Sequence, residues 1–153
     1  MPALPPASDL RDHMGFWLRV VSNQVSHAFA GKLAAKGVTV AEWVMMRALY
    51  GAEPMAPSQL AESMGMTRGA ITKLADRLIG KALVVRRASD ADARAQTLSL
   101  TGQGVALVPD LAALADRNDA EWFGHLARSD RETLERLLKQ LAQTGGEFVV
   151  PTV

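Results

Sequence analysis

Two helical patterns joined by a glycine turn, in residues 56–82, constrain this chain more than any other feature. Ala56 to Met64 reads APSQLAESM: Pro57 suits a first helical position, and Leu60, Ala61 and Met64 form a short apolar stripe. Gly65 ends that helix. Met66 to Ala82 reads MTRGAITKLADRLIGKA, in which Thr67 is a good N-cap, its hydroxyl accepting a free backbone N–H of the first turn. Ile71, Leu74, Ala75 and Leu78 recur at spacings of three and four, so one face seeks a core. The opposite face carries Gly69, Thr72, Lys73, Asp76 and Arg77, with Arg68 in the first turn. Alone, such a helix reads as an ordinary surface helix with a solvated basic side. Preceded by a short helix and a tight glycine turn, it is the second member of a helix-turn-helix, the one that enters the major groove. A face offering hydroxyl, ammonium and guanidinium donors beside a residue with no side chain can approach phosphates and base edges.

The rest of the composition narrows the classes. With 153 residues, 48% hydrophobic and 22% charged, the chain can bury a sizeable core and reads as one domain or a domain with an extension. It has no cysteine, which excludes disulfides, zinc ribbons and thiol chemistry. No apolar run approaches the ~20 residues of a membrane-spanning helix, and Met1 to Leu10 lacks a basic start and apolar centre, so a cytoplasmic protein without a membrane partner is expected. The net charge of +1 hides an asymmetry: Thr67 to Arg94 holds seven Lys or Arg against three Asp or Glu, and the remainder ten against thirteen. Phosphate contacts are local, so clustering matters more than total charge.

In chain order, Met1 to Ala7 contains three prolines and reads as an extended arm, and Ser8 or Asp9 can cap the helical stretch after it. From Leu10 to about Lys36 the pattern is helical, but Met14, Phe16, Trp17, Leu18, Val20, Val21, Val25, Phe29 and Leu33 cover more than one face. In a chain this small, a helix apolar on two sides points to a partner subunit. Thr39-Val40-Ala41-Glu42 reads as a reciprocal capping box opening a helix to about Tyr50. After Gly80 the period changes: Leu83 to Arg87 and Thr97 to Leu100 are short β-prone runs around a polar segment, which predicts a hairpin. A hairpin straight after a recognition helix is a wing, and Arg94 near its tip can reach the minor groove or the backbone. Thr101 caps a further long helix in which Pro109 predicts a kink or a restart. Ser129-Asp130-Arg131-Glu132 reads as a second capping box for a last helix with Leu134, Leu137, Leu138 and Leu141 on one stripe, stopped by Gly145-Gly146.

Nearly all of the chain resembles the MarR family of bacterial winged-helix regulators. The most specific segment is Asp92-Ala93-Arg94-Ala95 followed by Leu98-Ser99-Leu100-Thr101-Gly102-Gln103-Gly104, similar to the family's DxRA wing leading into LTxxG. Leu60-Ala61-Glu62 and Thr67 to Leu78 also look like its helix-turn-helix. The resemblance implies a mainly α fold with a small β-hairpin wing, a winged helix-turn-helix flanked by N- and C-terminal dimerisation helices. On that reading residues 8–36 and 102–146 form the dimerisation helices and 39–101 the DNA-binding lobe. It further implies a homodimer spaced for a palindromic operator in double-stranded DNA, and a small aromatic or phenolic effector. Ala93 stands where a basic or polar residue is common, which implies a weaker grip by the wing. The absence of cysteine excludes the family's peroxide-sensing branch.

Other chemistry finds no support. His13, His27 and His125 lack a second His or a carboxylate at ligand spacing on the same face, so no metal and no cofactor is expected. Ser58, Ser63 and Ser89 have no adjacent His or Lys, and no phosphate-cradling glycine loop occurs, so an enzyme is not expected. The expected DNA-contacting set is Ser58, Thr67, Arg68, Gly69, Thr72, Lys73, Arg77 and Arg94. Trp17, Trp43, Met46 and Arg47 are candidate effector-pocket residues, the indoles as apolar walls and Arg47 to meet a carboxylate or phenolate; the plainer reading has the tryptophans in the core and Arg47 in a surface ion pair. The expected function is a dimeric, ligand-responsive transcriptional regulator, a repressor released by its effector. The alternative is a winged-helix module that binds protein instead of DNA; Arg68, Lys73, Arg77 and Arg94 on one side favour the first.

Overall fold

The two apolar stripes of the helix-turn-helix meet in the core of the computed structural model, which describes residues 1–89, 92 and 94–153. Leu60, Ala61 and Met64 come from α3 (Pro57–Met64), and Ile71, Leu74, Ala75 and Leu78 from α4 (Arg68–Gly80), all buried as their spacing requires. Leu33 from the end of α1 (Met14–Ala34) and Met45, Met46 and Leu49 from α2 (Val40–Leu49) close one side of this core. Val108 and Leu111 from α5 (Gly102–Phe123) close another. A hairpin of β1 (Val84–Ala88) and β2 (Gln96–Leu100) adds Val84 and Leu98, in a register that runs from Val84 opposite Leu100 to Ala88 opposite Gln96. Met55 bonds Leu98 in both directions, at 3.0 and 2.8 Å, so the loop before α3 pairs with the hairpin as one further rung. The fold is a winged helix-turn-helix, and the last helix is α6 (Arg128–Thr144). Ala93, a departure from the family pattern, lies outside the described residues.

Three helix starts differ from expectation. The single helix over 10–36 is instead a 3-10 turn at Leu10–Asp12 followed by α1. The Asp9 carboxylate accepts the Arg11 N–H, the Asp12 carboxylate accepts the Asp9 N–H, and together they close the chain on that short turn; His13 is extended, and the Trp17 indole donates to the Arg11 carbonyl at 2.9 Å. That carbonyl is thereby satisfied without a continuous helix. At the start of α2, Thr39 accepts the Glu42 N–H as expected, but the Glu42 carboxylate does not return the bond. It goes to Lys81. The Lys81 ammonium lies 2.7 and 3.0 Å from the two carboxylate oxygens and 2.7 Å from the Gly37 carbonyl.

Of the kink or restart expected at Pro109, the restart does not occur: α5 runs unbroken from Gly102 to Phe123. The carbonyl that loses its partner belongs to Val105, on the exposed side of the helix, where water can replace the bond. The second expected capping box also fails: α6 begins at Arg128 with Ala127 as an uncapped N-cap. Glu132 pairs with Arg128 at 3.0 Å, one turn back along the helix, and so is not available to the backbone.

The flanking helices are tied together but poorly covered. Lys32 of α1 donates to the Asn118 side-chain oxygen at 2.9 Å and pairs with Glu121 at 2.8 Å, while the Asn118 amide donates to the Val25 carbonyl at 3.2 Å. Asn118 is buried, and both ends of its side chain are satisfied. The hydrogen bond from Lys32 holds the Glu121 carboxyl below the usual glutamate range, more than offsetting partial desolvation, with the charges of Lys32 and Arg117 helping. By contrast Met14, Trp17, Leu18 and Val21 of α1 and Leu137, Leu138 and Leu141 of α6 are exposed, and α6 buries no residue. Among the described residues, no helix is long and apolar enough to cross a membrane.

Lys81→Met would leave the Glu42 carboxylate buried without its cation. Breaking a fully buried pair costs more, but the Lys81 side chain is 40% exposed, so we expect a loss of about 2 kcal/mol in urea denaturation. A Glu42→Met and Lys81→Met double variant should recover most of it, because two apolar side chains of similar volume need no partner.

Candidate nucleic-acid interface

The outer face of α4 is set by its first turn. Thr67 accepts the Ala70 N–H at 3.1 Å, which starts the helix in the phase that buries Ile71 and Leu74 and turns Arg68, Gly69, Thr72, Lys73, Asp76 and Arg77 to solvent. Thr72 donates its hydroxyl proton to the Arg68 carbonyl at 3.0 Å, leaving oxygen lone pairs that can only accept. A Cβ at Gly69 would meet nothing within 4 Å, so no packing inside this chain requires glycine there. The absent side chain opens the helix face itself. Ser58 lies exposed in the first turn of α3.

The seven cations of the basic stretch divide by role. Lys81 is held by Glu42. Arg86 of β1 pairs with Asp76 of α4 at 2.8 Å, which fastens the hairpin to the helix and neutralises the one acidic residue on the outer face. Arg68, Lys73, Arg77, Arg87 and Arg94 are exposed and make no ion pair with the described residues. Arg87 was absent from the expected DNA-contacting set. Its signal was present in the strand period: adjacent residues point to opposite faces, so with Arg86 turned in toward α4, Arg87 must turn out.

Asp92 organises the described residues of the hairpin's end by local hydrogen bonds. The Asp92 carboxylate accepts the Arg94 N–H at 2.9 Å, and its carbonyl accepts the Ala95 N–H at 3.0 Å. Ser89 N–H then reaches the Ala95 carbonyl at 2.9 Å. An aspartate two residues ahead of an arginine can form this local turn, and it carries Arg94 at the end of the hairpin.

The LTxxG segment joins three elements. Thr101 caps α5 through the Gly104 N–H at 3.0 Å, and the same hydroxyl donates to the Ala82 carbonyl at 2.7 Å. Its own N–H reaches the Leu83 carbonyl at 3.0 Å. Ala82 lies in the left-handed region at φ 60°, where the chain leaves α4 for the hairpin. Gly104 sits so close that a Cβ there would overlap the Leu83 carbonyl oxygen. Recognition helix, wing and long helix therefore meet backbone to backbone.

The four effector candidates are dispersed within one chain. Met46 is fully buried, Trp43 is half-buried against the core, and Arg47 is exposed with its guanidinium 5.6 Å from the centre of the Tyr50 ring. Trp17 is 51% exposed, edge-on to Phe16 at 5.1 Å. It lies sixteen residues from Leu33, where α1 meets the core, so about 24 Å away along the helix. Two open grooves lie elsewhere. One, of about 590 Å³, runs along Leu10, Phe16, Arg19 and Val20; the other, of about 380 Å³, lies between Phe123 of α5 and Leu134 and Leu138 of α6. Among the described residues, no group of three or more His, Asp or Glu is placed to hold a metal ion.

Residues 36–95 match the MarR family. A protein of Thauera aromatica described as a "putative transcriptional regulatory protein for hcr operon" is 30% identical over 135 residues, which span 88% of this chain and 81% of that protein. The crystal structure of a probable transcriptional regulator from Pseudomonas aeruginosa is similar with a TM-score of 0.74 and 28% identity, covering 87% of this chain and 99% of that one. CouR from Rhodococcus jostii RHA1, solved bound to p-coumaroyl-CoA, is similar with a TM-score of 0.72 and 26% identity, covering 94% and 100%.

Gly104→Ala would force the Leu83 carbonyl away from α5. Overpacking against backbone that cannot yield should cost about 1–3 kcal/mol in thermal or urea denaturation. Val105→Ala, one residue on at an exposed position, should cost far less.

Proposed function

The chain belongs to the MarR family of transcriptional regulators, and from that premise we propose that it acts as a homodimer whose two wings and recognition helices grip a palindromic duplex operator. The observation that carries the reading is the partition of charge. Two of the seven cations in the stretch are used to fasten elements together, and five stand exposed on α4 and the hairpin. Arg68, Gly69, Thr72, Lys73 and Arg77 are the groove-facing set, with Ser58 and Thr67 at the flanking phosphates and Arg87 and Arg94 on the wing. A module that binds protein has no need of so many exposed cations on one side.

The dimer is supported by the apolar surface that α1 and α6 leave uncovered, larger than scattered exposed residues explain. On this reading residues 8–36 and 102–146 hold the two copies together and 39–101 read DNA. We propose further that the protein is a repressor released by an aromatic acid or phenol. The support is the p-coumaroyl-CoA in CouR, together with Trp43 and Arg47 on the same turn of α2, an apolar wall beside a cation. Trp17 joins them only if a second copy brings it there, and Met46 backs the site from the core.

The test compares wing with helix. Arg94→Ala should weaken specific and unrelated duplexes by similar factors and reduce the salt slope by about one phosphate contact. Lys73→Ala should lose discrimination at one or two operator positions, at about 1–3 kcal/mol each. Both variants must sediment as dimers with native helix content. Normal DNA affinity of Arg94→Ala at moderate salt would refute the role of the wing, and a native chain without salt-dependent retention on duplex DNA would favour the protein-binding alternative. A folded monomer at micromolar concentration would refute the dimer.

A further inference from the structure

The segment after α6 returns to the helix-turn-helix. The long helix α5 leaves the reading unit at Gly104 and, at 22 residues, extends about 33 Å. A short connection then turns into α6, whose 17 residues cover about 25 Å, and Gly145 and Gly146, the latter at φ 87°, redirect the chain. Val149 lands on Gly65, the left-handed residue between α3 and α4. Its Cβ lies 3.2 Å from where a Gly65 Cβ would be, and its Cγ1 would overlap that atom. Gly65 is thus constrained twice, by its φ of 61° and by the side chain resting on it. The left-handed conformation alone would favour glycine or asparagine. The second adds a side chain that any larger residue at this turn would have to displace.

We propose that residues 147–153 form a strap that docks on the helix-turn-helix of the same chain, with Gly65 as the seat of Val149. The strap links α6, a flanking helix, to the turn that sets the angle between α3 and the recognition helix. Its seat is shallow: Val149 remains 57% exposed, and Phe148 and Val150 beside it are 70% and 46% exposed. A contact of that size steadies the turn without locking it. The two backbone bonds that define the turn, Gly65 N–H to the Glu62 carbonyl at 3.4 Å and Met66 N–H to the Ala61 carbonyl at 3.0 Å, are the ones it protects. This docking holds whether or not the chain binds DNA.

Hydrogen exchange on the full-length chain tests it. In Val149→Asp, which sets a charge on an apolar seat, the amides of Gly65 and Met66 should exchange roughly five-fold or more faster, while those of α6 and the core keep their rates. Deleting residues 147–153, none of which is buried or in a helix or strand, should give the same change. Val153→Asp, at a position 99% exposed, should give none. Unchanged exchange at Gly65 and Met66 in Val149→Asp, or acceleration that the deletion does not reproduce, would overturn the strap. Failure of the native chain to bind duplex DNA would count against the proposed function and leave this measurement untouched.

Discussion

A carboxylate that is 1% exposed requires compensating charge, and the Glu42 carboxylate finds it in one ammonium group distant in sequence but adjacent in space. Lys81 stands immediately after the recognition helix, and its hold on Glu42 and on the Gly37 carbonyl pins the end of α4 to the first turn of α2 and to the loop before it. The later part of the chain takes its direction from that point. The next residue, Ala82, must be left-handed to turn the backbone away from the helix, although alanine bears a strain there of about 1 kcal/mol. Glu42 gives up its half of a capping box for this role, so one local backbone bond is exchanged for a long-range tie that the rest of the lobe depends on.

Beyond Lys81, the reading surface is held by contacts that are themselves polar or backbone-mediated. Asp76 and Arg86 fix the hairpin against α4, Met55 and Leu98 fix it against the loop before α3, and Thr101 fixes it to α5. The consequence is that wing and recognition helix form one rigid unit, whose orientation follows that of α5. Any rearrangement between two copies that tilts α5 must carry Leu83 with it, because Gly104 leaves no gap between the helix and that carbonyl. On the proposed reading, a dimer that responds by changing the separation of two reading heads would need a stiff connection, and one hydroxyl and one missing side chain supply it.

The flanking helices are built differently. Beside the apolar contact of Leu33 with the core that Val108 and Leu111 complete, α1 and α5 share a polar node in which Lys32 binds both Asn118 and Glu121, whereas Met14, Trp17, Leu18 and Val21 of α1 and Leu137, Leu138 and Leu141 of α6 face outward. Polar groups buried between α1 and α5 specify how those two helices cross, because a shift would leave Asn118 or Lys32 unpartnered. The apolar faces carry no such directionality. They are suited to association, in which area matters more than the aim of single bonds.

Much of the fold was legible locally. The stripe through Ile71, Leu74 and Leu78, the caps at Thr39, Thr67 and Thr101, the left-handed stop at Gly65 and the β-prone runs of the hairpin each depend on neighbours within a few residues, and the structure keeps all of them. Local chemistry also placed the exposed cations of α4, since the apolar phase of a helix dictates its opposite face. What the sequence could not decide were the choices in which a distant group outcompeted a near one. Glu42 preferred Lys81, thirty-nine positions away, to its own N-cap, and Arg86 was drawn to Asp76 while Arg87 was left outside. Periodicity specifies which face of an element is buried, but only the packed chain specifies which charge meets which, because Coulombic and hydrogen-bond partners are chosen by distance in space.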